Sequence, residues 1–268
     1  MRLILPNMVT LLALCSGLTA IRMAFEGRWE FAIGAVLVAA VLDALDGRLA
    51  RMLKGTSRFG AELDSLADFV NFGVTPALML YVWILNTAGS LGWIASLVFA
   101  ISAALRLARF NVALDDPNKP DWAANFFTGV PAPAGALVVL IPIYWEFLGV
   151  LPHWPEFAPG VALYTIAIGF LMISRLPTFS GKRVGTRIRR DYVLPLFVLA
   201  VLIVALTVSY PFRMLALGSA LYLVSIPFSW RAHRRYLVSD QGTATDDDGD
   251  CADTDLDHLG DRDKHDAG

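Results

Sequence analysis

The stretch Val41-Leu42-Asp43-Ala44-Leu45-Asp46-Gly47-Arg48-Leu49-Ala50-Arg51, continued by Gly60-Ala61-Glu62-Leu63-Asp64-Ser65-Leu66-Ala67-Asp68, sets aspartates at helical spacing among apolar residues. Residues three or four apart share one face of an α-helix, so Asp43 and Asp46 project together, and Asp64 and Asp68 project together from the next helix. The polar link Lys54-Gly55-Thr56-Ser57 turns the chain between them. So short a connection predicts antiparallel neighbours whose carboxylates converge.

The rest of the chain explains why these acids are conspicuous. With 268 residues, 56% of them hydrophobic, and a mean hydropathy of +0.56, it is too apolar for an ordinary soluble domain and long enough to cross a bilayer several times. Apolar runs recur at 3–24, 30–52, 66–85, 91–112, 130–149, 158–176, 192–209 and 211–229, separated by Gly, Pro, Asn or charge clusters. The expectation is an all-α, polytopic membrane helix bundle of about eight transmembrane helices. Only the Tyr210-Pro211 region parts the last two, so a single long broken span is the alternative there. The first run lacks a clear small-residue cleavage site and is followed by further spans, which favours a retained helix over a signal peptide.

Basic residues orient the bundle. Placing both termini in the cytoplasm puts 19 of the 22 Lys and Arg inside, leaving Arg22, Arg28 and Arg213 outside. An odd number of spans would break this alternation. The protein is therefore read as an integral cell membrane protein whose acidic helix ends face the cytoplasm. Trp29, Trp83, Trp93, Trp145, Trp154 and Trp230 fall near helix ends, as interfacial anchors do. No long internal repeat is evident.

Residues 1–236 form the expected transmembrane domain and 237–268 an acidic cytoplasmic tail. From Asp240 onward the tail holds 11 of the 24 acidic residues; without it the remaining 20 basic and 13 acidic residues give +7 against an overall −2. Low apolar content predicts disorder there. The Asp246 to Asp250 run does not fit a calcium-binding loop: with Gly249 at the sixth position, the first ligand would be Ala244. Cys15 and Cys251 make no disulfide framework, and with four scattered histidines they offer no zinc site.

Each intramembrane Asp costs about 2.5 to 3.5 kcal/mol on insertion scales, so four in two spans require a compensating partner. Carboxylates without nearby His or Cys suit hard, oxygen-seeking cations such as Mg2+ or Mn2+. A pair of such ions can neutralise a pyrophosphate and stabilise both entering and leaving oxygens. The plainer alternative is structural ion pairing with Arg48, Arg51, Arg58 or Arg106. Four acids at paired helical spacing, with Gly47 and Ala50 kept small beside them, fit that poorly. A divalent-cation transporter is the alternative from another class, but no acidic residue continues the path outward.

Asp43-x-x-Asp46-Gly47-x-x-Ala50-Arg51, eight residues, then Gly60-x-x-x-Asp64-x-x-x-Asp68 resembles the complete signature of the CDP-alcohol phosphatidyltransferases, with no departure at its eight fixed positions. The wider context, with Leu105-Arg106-Leu107-Ala108-Arg109-Phe110-Asn111, Phe127-Thr128-Gly129-Val130-Pro131 and Ser174-Arg175-Leu176-Pro177, is similar to the membrane-embedded phosphatidylserine synthases. The resemblance spans roughly Leu5 to Lys182 and leaves out the last helices and the tail.

What the resemblance implies is transfer of a phosphatidyl group from CDP-diacylglycerol to L-serine, giving phosphatidylserine and CMP. Asp43, Asp46, Asp64 and Asp68 would hold two divalent cations, Mg2+ or Mn2+, with Asp68 also the general base. Pro6, Asn7, Met8, Val9, Gly47, Arg51 and Ser57 match positions associated with the CDP-lipid. Gly47 would let the nucleotide approach the backbone, and Arg51 would offer paired donors to phosphate. A homodimer among membrane lipids is implied, and nothing calls for nucleic acid. Arg106, Arg109, Asn111, Asn125 and Gly129 are candidate acceptor contacts because they are polar or turn-forming elements on the cytoplasmic side. Glycerol 3-phosphate and inositol phosphate are rival acceptors, for which the Arg175 to Arg190 loop could hold the extra phosphate.

Overall fold

Helices α1 (Ile4–Phe25) and α2 (Trp29–Met52) form a hairpin. Gly27, at φ 72°, closes α1 as a left-handed cap, with Gly27 N–H donating to Ala24 O at 3.0 Å and Arg28 N–H to Met23 O at 2.9 Å. The buried stripe of α1 is Pro6, Thr10, Ala13, Gly17, Ala20 and Ala24, small residues three or four apart that let α2 approach closely. Across that seam Ser16 Oγ donates to Ala35 O at 2.8 Å. These coordinates are a computed structural model, and the residues described are 4–53, 57–114, 126–150, 152–174, 177–179 and 190–226.

The third rod starts earlier than the expected 66–85. Ser57 caps it, its Oγ accepting from Gly60 N–H at 3.0 Å, so α3 runs Arg58–Phe69 and brings Asp64 inside the helix. A π-helical turn at Val70–Val74 leads into α4 (Thr75–Trp83). Pro76 has no N–H to return to the preceding turn, and the wider turn immediately before it absorbs the mismatch. α1 packs along both α2 and α3, while α2 meets the third rod chiefly at the π turn. The expected direct packing of α2 on α3 is therefore corrected: α1 bridges them.

A short 3-10 turn (Leu85–Ala88) connects to α5 (Ser90–Leu114), which packs on α3, the π turn and α8 (Ala158–Ile173). The expected single span 130–149 is two helices, α6 (Ala132–Val139) and α7 (Ile141–Phe147). Pro142 cannot donate to Val138 O and its ring crowds that carbonyl, so α6 ends and Leu140 N–H caps Val138 O instead. α9 (Arg190–Ser209) and α10 (Pro211–Ile226) are separate helices, parted at Tyr210. The core includes Phe72, Met79, Leu80, Phe99, Tyr144 and Met172.

The chain is thus a helix bundle, with one departure from all-α. Phe126–Thr128 (β1) pairs antiparallel with Pro177–Phe179 (β2), Phe127 facing Thr178, and ties the segment after α5 to the segment after α8. The first two residues of the Phe127 to Pro131 stretch are thereby in a strand. Among the described residues four helical stretches are long and apolar enough to cross a membrane: Ile4–Phe25, Arg58–Trp83, Ser90–Ala113 and Pro155–Ile173. α2, at 24 residues, has the length, about 36 Å at 1.5 Å per residue, but carries Asp43, Asp46, Arg48 and Arg51 in its last three turns. The acidic tail lies outside the described residues.

Candidate metal and substrate site

Carboxylate oxygens of Asp43, Asp64 and Asp68 all lie within 4.8 Å of one another, each residue half-buried. α2 supplies the first and α3 the other two, so the expected convergence occurs between these helices. Asp46 stands beside the cluster rather than in it. It is 3% exposed, turned toward α1, where the Thr10 side chain lies against its carboxyl. Thr10 was not singled out in the sequence, although its position one turn after Asn7, on the same face of α1, carried the signal.

Three carboxylates this close repel, and among the described residues none of them is in an ion pair. The ion pairs among the described residues are Arg22–Glu26, Arg28–Glu26 and His153–Glu146, none of which involves these aspartates. Structural pairing with Arg48, Arg51, Arg58 or Arg106 is therefore not what holds them. Asp46 Oδ2 and Asp68 Oδ1 are moreover buried without a hydrogen-bond partner. Buried polar atoms are normally satisfied. Closely set oxygen donors with orphaned lone pairs and no ion-paired cation among the described residues fit a hard divalent ion.

The expected CDP-lipid residues fall in two groups, one where α1 meets the start of α3 and one on α2. A Cβ at Gly60 would lie 2.9 Å from Asn7 Oδ1 and 3.1 Å from Ser57 Oγ, so Asn7, Ser57 and Gly60 meet where α1 crosses the start of α3. Arg51 Nε donates to Gly47 O at 3.0 Å, holding the guanidinium one turn from Gly47. A Cβ at Gly47 would meet nothing within 4 Å, so the glycine faces free space. Pro6 is buried in the α1 seam, Val9 is half-buried, and Met8 is 51% exposed.

The expected acceptor residues divide. Asn111 Nδ2 donates to Ser65 Oγ at 2.9 Å, one residue from Asp64. Arg106 lies within the electrostatic reach of Asp68 and of Tyr222 on α10, its Nε buried without a partner. Arg109 is drawn elsewhere: its Nη1 donates to Ile173 O at 2.6 Å and caps the C-terminus of α8, a structural task. Gly129 serves the backbone. At φ 82° any Cβ would come 2.5 Å from Met172 O. Asn125 lies outside the described residues, as does most of the Arg175 to Arg190 loop.

At the other end, Trp83 Nε1 donates to Glu146, which also meets His153 Nδ1 at 3.1 Å. Trp83 is thus a core residue whose indole is held by Glu146.

Fold and site together define a membrane helix bundle with a clustered carboxylate centre. The model for CDP-alcohol phosphatidyltransferases matches residues 3–173, and a second, CDP-alcohol phosphatidyltransferase 2, matches 191–227. The chain belongs to the CDP-alcohol phosphatidyltransferase family. Similar curated proteins bear the name CDP-diacylglycerol--serine O-phosphatidyltransferase. The Mycobacterium tuberculosis protein is 38% identical over 86% of this chain and 79% of its own length. The Mycobacterium leprae protein is 39% identical over 84% and 74%, and the Helicobacter pylori protein 32% over 84% and 90%. The match at 191–227 corrects the expectation that the likeness stops near Lys182.

Proposed function

We propose that this chain transfers the phosphatidyl group of CDP-diacylglycerol to L-serine, forming phosphatidylserine and CMP. The carrying observation is the cluster of Asp43, Asp64 and Asp68, with Asp43 four residues before Gly47 on α2, in a chain whose family relatives bear that activity in their names. Two divalent cations, Mg2+ or Mn2+, held by Asp43, Asp46, Asp64 and Asp68, would offset charge on the pyrophosphate and on the departing CMP.

The protein's own groups do the rest. Asp68 takes the proton of the serine hydroxyl as the oxygen forms its bond to the lipid-linked phosphorus, and the bond from that phosphorus to CMP breaks. Asn7, Gly47, Arg51 and Ser57, with Pro6, Met8 and Val9 shaping the start of α1, receive the CDP-lipid. Arg106 and Asn111 receive the acceptor. Positioning of the two substrates supplies much of the acceleration.

The same proposal gives residues 1–236 eight spans with both termini and the active site on the cytoplasmic side, a solvated tail at 237–268, and a homodimer. The charge distribution of the sequence supports the orientation; the family resemblance supports the dimer.

Purified protein given CDP-diacylglycerol and Mg2+ or Mn2+ should release CMP and form phosphatidylserine with serine, but no lipid product with glycerol 3-phosphate or inositol phosphate. Lipid product from either rival in place of serine would replace the acceptor and keep the reaction. Cation flux without metal-dependent CMP release would instead make the protein a transporter. Asp68→Asn should abolish turnover while CDP-lipid binding persists; retained turnover would remove Asp68 from the base role.

A further inference from the structure

We propose that Asn71, in the π turn that follows α3, is a positioning residue: its side-chain amide donates through one water to Asp68 and fixes how that carboxylate is presented. This rests on the reading of Asp68 given above and adds to it a residue outside the sequence signature.

Asn71 is 1% exposed, and neither its Oδ1 nor its Nδ2 has a hydrogen-bond partner. Burying an amide without partners is costly, so for the fold alone an apolar residue would serve better. The amide is nevertheless held in one place. Its Oδ1 occupies the position that a Cβ on Gly17 would take, so only glycine at that point of α1 leaves it room. An oxygen set against a glycine Cα has the sense of the weak Cα–H···O contacts that recur between close helices. Thr75, one turn further along the rod, donates from Oγ1 to Gly17 O at 3.4 Å, so one patch of α1 receives both side chains.

With the oxygen against α1, the Nδ2 donor is left for another acceptor. Asp68, three residues earlier on the same rod, has a buried Oδ1 that also lacks a partner. The two orphaned groups are complementary, one a donor and the other an acceptor. Residues three apart are neighbours on a helix surface, with Cβ atoms about 5 to 6 Å apart, a separation that one bridging water closes. A carboxylate offers about four acceptor sites, so Asp68 can take this hydrogen bond and still turn lone pairs to a cation. Carboxylates that ligate metals are themselves hydrogen-bonded by such outer partners, which orient them. The π turn gives Asn71 a fixed base: α1, α2, α5 and α6 all touch it, and a Cβ on its Gly73 would lie 3.0 Å from that of Ala103 on α5. Single π turns within α-helices are frequent at functional sites.

The test compares wild type with Asn71→Ala and Asn71→Ser. It measures kcat, KM for serine and for CDP-diacylglycerol, and, without substrate, the Mn2+ affinity from the shift in thermal midpoint. Asn71→Ala should lose on the order of 10- to 100-fold in kcat and about 10-fold in Mn2+ affinity, the usual effect of deleting an outer partner of a metal ligand, with both KM values little changed. Asn71→Ser, which differs from alanine by one hydroxyl donor, should recover part of both losses. A purely structural role predicts the opposite order, because a hydroxyl buried without a partner is worse than a methyl group. Serine no better than alanine, or alanine with the kcat and Mn2+ affinity of wild type, overturns the proposal. If Asn71→Ala does not fold, Asn71→Cys, of serine's shape with only a weak donor, takes its place in the comparison. Wild type that neither binds Mn2+ nor releases CMP sinks the reading of the carboxylate site itself, a different result from wild type that does both and variants that match it.

Discussion

Asn111 of α5 donates to Ser65 of α3 at 2.9 Å, and the Ser65 hydroxyl in turn donates to Ala61 O at 3.0 Å. This short chain of hydrogen bonds fixes α5 against α3 one residue from Asp64. Removing it should cost about 0.5 to 1.5 kcal/mol, the net worth of a typical buried hydrogen bond. Asn111→Ala and Ser65→Ala should each lower the thermal midpoint in detergent. The double variant should lose less than the sum, because both delete one interaction. Additive losses would show that Asn111 acts on something other than Ser65.

Metal dependence should be visible without any turnover. Asp43, Asp64 and Asp68 crowd their oxygens within 4.8 Å, so in a chelator the wild type carries a like-charge penalty that Asp43→Asn or Asp64→Asn relieves. Both variants should then unfold at a higher temperature than wild type in EDTA. With Mn2+ or Mg2+ at a hundredfold excess over Kd, wild type should gain about 2.7 kcal/mol and overtake them, while the variants respond little. An Asp64→Asn protein that gains as much as wild type would show that the cation binds elsewhere.

Thr10 is the group that the buried Asp46 carboxyl faces on α1, and its Oγ1 also lies 3.1 Å from Pro6 O. Thr10→Val keeps the shape and removes the hydroxyl. Stability should fall by about 1 to 3 kcal/mol, the cost of leaving a buried polar group short of a partner, and turnover should fall with it. Thr10→Ser should restore most of both. A valine variant as stable and active as wild type would mean that Asp46 draws nothing from α1.

How much of this was legible in the sequence follows from what local spacing can and cannot encode. The pairing of Asp43 with Asp46, and of Asp64 with Asp68, is a property of one helix at a time, and the carboxylates do converge. The lateral order of the helices is not local. In lipid both the packed and the exposed faces of a helix are apolar, so periodicity did not say that α1 would bridge α2 and α3, nor that Arg109 would cap α8 while Arg106 turned to Asp68. The break at Leu140 was written in Pro142, but a continuous apolar run concealed it. Asn71 is a further case: it is 1% exposed, its amide has no partner, and its Oδ1 lies where a Cβ on Gly17 would stand. Nothing in the sequence marks that contact, because Gly17 and Asn71 meet only through the docking of α1 on the π turn.

Gly47 separates a structural glycine from a functional one. It sits inside α2, has no positive φ, and a Cβ there would touch nothing within 4 Å. For the fold alone, alanine is the better residue, since glycine in a helix interior costs about 0.8 to 1.0 kcal/mol relative to alanine. Gly47→Ala should therefore raise the thermal midpoint of the protein without substrate. If the free space beside it receives the CDP-lipid, the added methyl group should raise KM for CDP-diacylglycerol and leave KM for serine alone. Gly129→Ala is the counter-case: its φ of 82° and the 2.5 Å approach to Met172 O predict loss of stability together with any loss of activity. A Gly47→Ala protein that is stabilised and keeps its KM for CDP-diacylglycerol would move the nucleotide away from α2, whatever the aspartates hold.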